Sequence, residues 1–155
     1  MKLSLNKILP KIKLMFLWDT NIFTDFEKGN SILQLYLNKI PWTEIALPSV
    51  VVAEILRGRY KYALTATPEK LPLAHKILAE TRETLDKFNI AVFDERCAQK
   101  LEELKRKHKT HKRYPDMMIA TMALAGEHIV VTRNQKHFQI FLPKTQLANW
   151  IDKRP

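Results

Sequence analysis

The chain has 155 residues, 46% of them hydrophobic, with 26 Lys and Arg against 16 Asp and Glu, a formal net charge of +10 and a pI near 9.8. That length and composition fit one globular domain with a layered core and exclude a disordered chain. The positive excess points to a polyanionic partner, nucleic acid before an anionic membrane, because no apolar run approaches the ~20 residues needed to span a bilayer.

Residues 1–14 read as a basic extension ahead of a domain covering residues 15–155. Lys7, Pro10, Lys11 and Lys13 interrupt its apolar stretch and no small-residue cleavage site follows, which argues against a secretory signal. The extension is either an arm that meets nucleic acid or a partner, or the product of an upstream start codon. Residues 14–19 predict a strand, 30–38 a helix, 44–47 a strand and 50–60 a helix. Thr67 as cap, with Pro68 at the first helical position, predicts a helix over 68–88, followed by a strand at 90–93. A charged helix is expected over 95–107, an apolar helix over 116–125 stopped by Gly126, a strand at 129–132 and a last strand at 146–150. Strands alternating with helices imply right-handed crossovers and a parallel sheet covered on both faces, an α/β fold. No repeat, low-complexity tract or linker divides the chain.

In such a sheet ligands bind outside the carboxyl ends of the strands. Asp19 closes the apolar run Leu14 to Trp18, Glu54 lies in the apolar stretch after the second strand, and Asp116 opens the apolar helix after Pro115. Three carboxylates brought together repel unless a hard cation neutralises them, and magnesium prefers oxygen ligands. Each acid also has a plain structural use. Asp19 can cap a following helix, Asp116 gains from a helix dipole, and Glu54 can face solvent, although Val50, Val51, Val52, Ile55 and Leu56 leave it little polar face. Asn21 holds either a turn or the Asp19 carboxylate. Thr132 and Asn134 close the strand-end set, Asn134 as a neutral ligand of metal or water, or as a turn former.

The run from Lys105 to Arg113 is the densest positive segment. Any one of its lysines reads best as a solvated helix end, yet together they bring a phosphate backbone toward Asp116. Arg113 and Arg133, nearest the strand-end residues, are the expected substrate contacts. His108 and His111 are three apart but are poor metal ligands amid so much positive charge. Gly29, Gly58 and Gly126 are too scattered for a phosphate loop, and a calcium loop begun by Asp19, Asn21 and Asp25 fails at Thr24 and Asn30. The lone Cys97 excludes an internal disulfide and fits a reducing, cytoplasmic setting.

Four segments carry a family resemblance: residues 16–22, 48–58, 113–121 and 129–138. In this order they resemble the PIN-domain ribonucleases, most closely the VapC-type toxins of bacterial toxin-antitoxin pairs. The resemblance implies a three-layer α/β/α PIN-like fold around a central parallel sheet. It implies hydrolysis of RNA, tRNA or rRNA being the target class, by a metal-activated water that leaves a 5'-phosphate and a 3'-hydroxyl. Asp19 and Asp116 would bind the principal magnesium or manganese ion, Glu54 would hold a second ion or orient the water, and Asn134 would complete the catalytic set. Arg113, Arg133, Thr132 and Asn21 would meet the substrate. A VapB-like antitoxin and a second copy of the chain are the implied partners. The family usually carries a fourth acid or an Asn after the Thr-Arg pair, and this chain has Asn134 there, with His137 where Asp often precedes the Phe, which leaves the fourth site position neutral. A DNA nuclease of the same fold is an alternative, since the mechanism does not need the 2'-hydroxyl. A nucleic-acid-binding module with little turnover is another, and the neutral Asn134 favours it.

Overall fold

The computed structural model describes residues 13–155 apart from residue 110, so the extension expected over residues 1–14 falls almost wholly outside the described residues. The strands β1 (Phe16–Trp18), β2 (Ile45–Pro48), β3 (Asn89–Ala91), β4 (Ile129–Val131) and β5 (Leu147–Ala148) form one parallel sheet in the order β3-β2-β1-β4-β5. β1 is central, with Phe16 in register with both Ile45 and Ile129. Every residue of β2 is buried, as a strand covered on both faces requires.

The chain winds from β1 to β3 in one direction, then returns past β1 to β4 and β5. Right-handed crossovers therefore place α1 (Thr20–Glu27), α2 (Ser31–Leu37), α3 (Ser49–Thr65) and α4 (Leu71–Leu85) against one face. They place α5 (Glu95–Lys107), α6 (Tyr114–Gly126) and α7 (Gln135–Phe138) against the other. This is the three-layer α/β/α arrangement expected from the sequence. The reversal between β1 and β4 opens a crevice at their carboxyl ends, where open α/β sheets take their ligands.

Trp18, the last residue of β1, anchors that crevice from below. It is fully buried, and the rings of Phe26, Trp42, Phe88 and Trp150 surround it with centroids 5.4 to 6.4 Å away. Burying roughly 200 Å2 of aromatic surface contributes about 5 kcal/mol before entropy is charged against it. The chain direction at residue 19 is thus set by the largest side chain of the core.

Three local features differ from the sequence expectation. α1 follows β1 at once and was not among the elements read in chain order, although Asp19 was read as able to cap a following helix, which it does. α4 begins at Leu71 rather than Pro68, and Thr67 accepts from the backbone N–H groups of Lys70 and Leu71 in a turn ahead of it. Pro72 is the reason. In a helix begun at Pro68 its ring would clash with a carbonyl one turn back, whereas in the first turn of α4 its missing N–H costs nothing.

The third feature is Gly126, expected to stop the helix. It is itself helical, and Glu127 adopts the left-handed conformation with φ 54°. Space demands the glycine, since a Cβ there would fall on the ring of His128. That ring is held, its Nδ1 accepting from the Met15 N–H at 3.1 Å. Gly126→Ala is expected to destabilise the protein by about 1–3 kcal/mol, the usual cost of overpacking. His128→Ala should cost about 1 kcal/mol for the lost hydrogen bond. In urea unfolding the double variant should be less destabilised than the sum of the two; simple additivity would show that the His128 ring moves aside freely.

Candidate active site

Asp19 stands where β1 ends, and its N–H donates to the Val131 carbonyl at 3.2 Å. Its carboxylate caps α1, with Oδ1 accepting from the Ile22 N–H at 3.0 Å. Oδ2 accepts from the Thr132 hydroxyl at 2.6 Å, and Thr132 Oγ1 accepts in turn from the Asn134 N–H at 2.9 Å. The capping use and the placement in the crevice are therefore the same geometry. Thr132, expected to touch substrate, is fully buried with its hydroxyl committed to Asp19. It orients the acid instead.

Asp19 is only 6% exposed, and among the described residues no cation lies within ion-pair distance of it. Burial pushes its carboxyl up to about 6; the bonds from Thr132 and Ile22 offset this in part, and the charge of Asp116 adds to it. Desolvation outweighing two good hydrogen bonds is the behaviour of an acid lacking a counter-charge.

Glu54 is carried on the second turn of α3, which springs directly from β2. Its Oε1 accepts from the Thr20 hydroxyl at 3.1 Å, linking the first residue of α1 to α3. Asp116 is the third residue of α6. Partial burial raises its carboxyl, opposed by the charges of His137, Arg113 and His111. Its Oδ2 lies 3.9 Å from Arg113 Nη1 and 3.8 Å from His137 Nδ1, too far for hydrogen bonds. Arg113 Nη1 is 2.7 Å from His137 Nδ1. A guanidinium only donates, so in the neutral ring Nδ1 is the acceptor and the proton sits on Nε2, whereas a ring protonated at both nitrogens gives up this bond and sets its charge beside Asp116.

These side chains meet in one pocket of about 220 Å3, lined by Asp19, Asn21, Glu54, Asp116 and Asn134 together with Thr20, Arg113 and His137. Of the residues expected at the site, Arg133 stands apart. It pairs with Asp152 at 3.0 Å and faces an adjoining depression. Thr20 and His137 were not assigned to the site from sequence. Thr20 was signalled only by its place beside Asp19, and His137 only as a departure from the family pattern.

The donors offered by the three acids, Asn21 and Asn134 suit magnesium or manganese, which favour oxygen. No three acidic, histidine or cysteine groups among the described residues form a ready-made cage. Glu54 is held by Thr20 and Asp116 lies beside Arg113. An ion held by so few protein oxygens would keep several of its waters. The buried Asp19 carboxylate, short of positive charge, is the group that such an ion would satisfy.

A family model described as PIN domain matches residues 16–140, from β1 past α7. Among solved structures, FitAcB from Neisseria gonorrhoeae is similar with a TM-score of 0.69 and 23% identity, covering 90% of this chain and 100% of that one. DNA-bound VapBC from Salmonella typhimurium gives a TM-score of 0.70 at 20% identity, covering 89% and 99%. A toxin-antitoxin complex from Klebsiella pneumoniae gives 0.63 at 24% identity, covering 87% and 97%. These likenesses are of fold. No curated protein matches the sequence.

The raised Asp19 carboxyl has a consequence for stability. With a folded value of about 6 against an ordinary 3.8, the folded protein holds this proton more tightly than the unfolded chain does. The stability it contributes is complete below about pH 3.8 and is lost as pH rises through about 6, a total near 3 kcal/mol. Asp19→Asn keeps the cap but has no charge to bury. In chelator it should exceed the parent protein in urea-measured stability at pH 8, by up to about 3 kcal/mol, with the advantage gone near pH 4. An advantage equal at both pH values would contradict the raised carboxyl.

Proposed function

The chain belongs to the PIN-domain family, and from that membership we propose that it is a metal-dependent endoribonuclease. In this reading it is the toxin of a type II toxin-antitoxin pair and cuts structured RNA, with tRNA and rRNA as the target class. The observation that carries the reading is the convergence of Asp19, Glu54 and Asp116, from three separate elements, on one pocket at the sheet's switch point.

Asp19 and Asp116 would hold the principal magnesium or manganese ion, Glu54 would hold a second ion or the attacking water, and Asn134 would complete the set. When bound, the ion would neutralise charge developing on the phosphoryl oxygens and make the attacking water more acidic. Thr132 and the Ile22 N–H each hold one oxygen of Asp19, so the carboxylate does not have to reorganise during the reaction. Arg113, exposed at the pocket mouth, suits a phosphate oxygen because its planar fork makes two parallel hydrogen bonds. The water oxygen bonds to phosphorus as the bond to the 3'-oxygen breaks, leaving a 5'-phosphate and a 3'-hydroxyl. Asn21, exposed beside Asp19, belongs to the substrate side of the pocket.

A cognate VapB-like antitoxin and a homodimeric state belong to the same reading, and the toxin-antitoxin complexes among the structural neighbours support the first. Among the described residues no helix is long and apolar enough to cross a membrane, and the proposed setting is the cytoplasm.

A second reading, a binding module with little turnover, is favoured by the neutral Asn134 and by the cations that stand beside Asp116. Single-turnover incubation with a pool of structured RNAs separates the two. A nuclease yields chelator-sensitive fragments with 5'-phosphates; intact RNA with both metals would leave the binding module. Asp116→Asn should cut the rate more than about a hundredfold, beyond the loss typical of an outer-shell metal partner, with its circular dichroism unchanged. Asn134→Asp should tighten manganese binding measured by calorimetry, and Asn134→Ala should weaken cleavage without abolishing it.

A further inference from the structure

Arg113 and Asp116 stand three residues apart where α6 begins, as neighbours on one helical turn. An arginine and a carboxylate placed side by side ordinarily close into two parallel, charge-assisted hydrogen bonds. These two do not close. Arg113 Nη1 stops 3.9 Å from Asp116 Oδ2, although the arginine side chain is 58% exposed and has room to move. No other acid draws it away, since among the described residues Asp116 is the one carboxylate within ion-pair distance of Arg113. The competing partner is His137, whose Nδ1 lies 2.7 Å from the same Nη1 and 3.8 Å from the same Oδ2.

His137 is firmly mounted. Its N–H donates to the Asn134 carbonyl at 3.0 Å, and the residue after it, Phe138, is buried in the core. The Asn134 N–H is bonded in turn to Thr132, the residue that holds Asp19. The imidazole is thus fixed to the loop that orients one acid, while Arg113 and the other acid stand on α6. Through Nδ1 a neutral ring takes a single guanidinium N–H, so the other donors of Arg113 stay open.

We propose that His137 is a positioning residue that holds the Arg113 guanidinium off Asp116, leaving the carboxylate open to a hydrated cation and the guanidinium open to a phosphate. The inference rests on the nuclease reading and adds the group that keeps its cation ligand and its phosphate contact apart. Without the imidazole, Arg113 has only about 1 Å to travel before it bonds to Asp116. Acid and arginine would then satisfy each other, and an ion or a phosphate would each have to break that pair first.

The crystal structure of metal-free His137→Ala tests the spacing directly. A guanidinium nitrogen of Arg113 is expected within about 3.2 Å of an Asp116 carboxylate oxygen; a guanidinium that keeps its present distance or turns to solvent would overturn the proposal. Manganese calorimetry at pH 8 tests the consequence. His137→Ala should weaken binding about tenfold, because a charge-assisted pair must be broken first. His137→Asn, whose Oδ1 can accept in place of Nδ1, should bind manganese within about twofold of the parent protein. In an Arg113→Ala background, His137→Ala should change the affinity by less than about twofold, since no guanidinium is left to restrain. An equal loss in both backgrounds would make His137 a ligand of the ion rather than a spacer, and failure of His137→Asn to restore binding would equally overturn the proposal. A parent protein that binds no manganese would remove the ion from the nuclease reading, and the Arg113–Asp116 distance in metal-free His137→Ala would still decide the role of His137.

Discussion

The structure turns on one carboxylate, Asp19, buried at the end of the central strand with neutral donors on both oxygens and no positive charge at hand. Burying an ionised group this way costs several kcal/mol unless it is compensated. Everything around it fixes its position rather than relieving that cost. Trp18 locks the preceding residue into the aromatic core, the N-terminus of α1 takes one oxygen, and Thr132 takes the other. A fold selected for stability alone would place an amide here, since Asn caps a helix as well as Asp does. In the proposed reading, keeping the charge is the trade of stability for chemistry that active sites make.

Asp116 is treated differently. It sits in the first turn of α6, half-buried, with Arg113 and His137 just beyond hydrogen-bonding range. Those two are bonded to each other rather than to the acid. Positive charge thus offsets Asp116 without occupying its oxygens. The same arrangement resolves a conflict between the chain's +10 charge and its acidic pocket. A polyanion drawn by the overall field would be repelled at the acids, were Arg113 and the lysines of the α5–α6 connection not gathered at the rim. In the proposed reading, attraction at the rim and chemistry at the acids are separated by position.

Much of this was legible in the sequence because it rests on local signals. The apolar runs gave β1, β2 and β4, α5 was readable end to end from its charge pattern, and the three acids were marked by their place after strands or at a helix start. What escaped depended on contacts remote in sequence. Thr132 reads as a turn hydroxyl until β4 is laid beside β1, and only that pairing shows that it serves Asp19, 113 positions away. Gly126 reads as a helix stop until the ring of His128 is seen to claim its Cβ space. The start of α4 was in reach of local reasoning, since Pro72 forbids a helix begun at Pro68, but Thr67 and Pro68 gave the more familiar signal.

The neutral Asn134 and the imidazole of His137 belong to one change in the pocket's charge. An acid at either position would add a further negative group close to Asp19 and Asp116, raising both affinity for a hard cation and repulsion of a phosphate backbone. With Asn134 the oxygen donor remains and the charge does not. With His137 the group facing Asp116 can accept from Arg113, so the guanidinium is steadied at the mouth without being captured by a carboxylate. A bidentate pair with an acid would have to be broken before Arg113 could meet a phosphate, at the cost of a charge-assisted bond. Releasing a neutral imidazole costs less. In the proposed reading, the neutral groups at these two positions shift the pocket from gripping a cation toward admitting a polyanion.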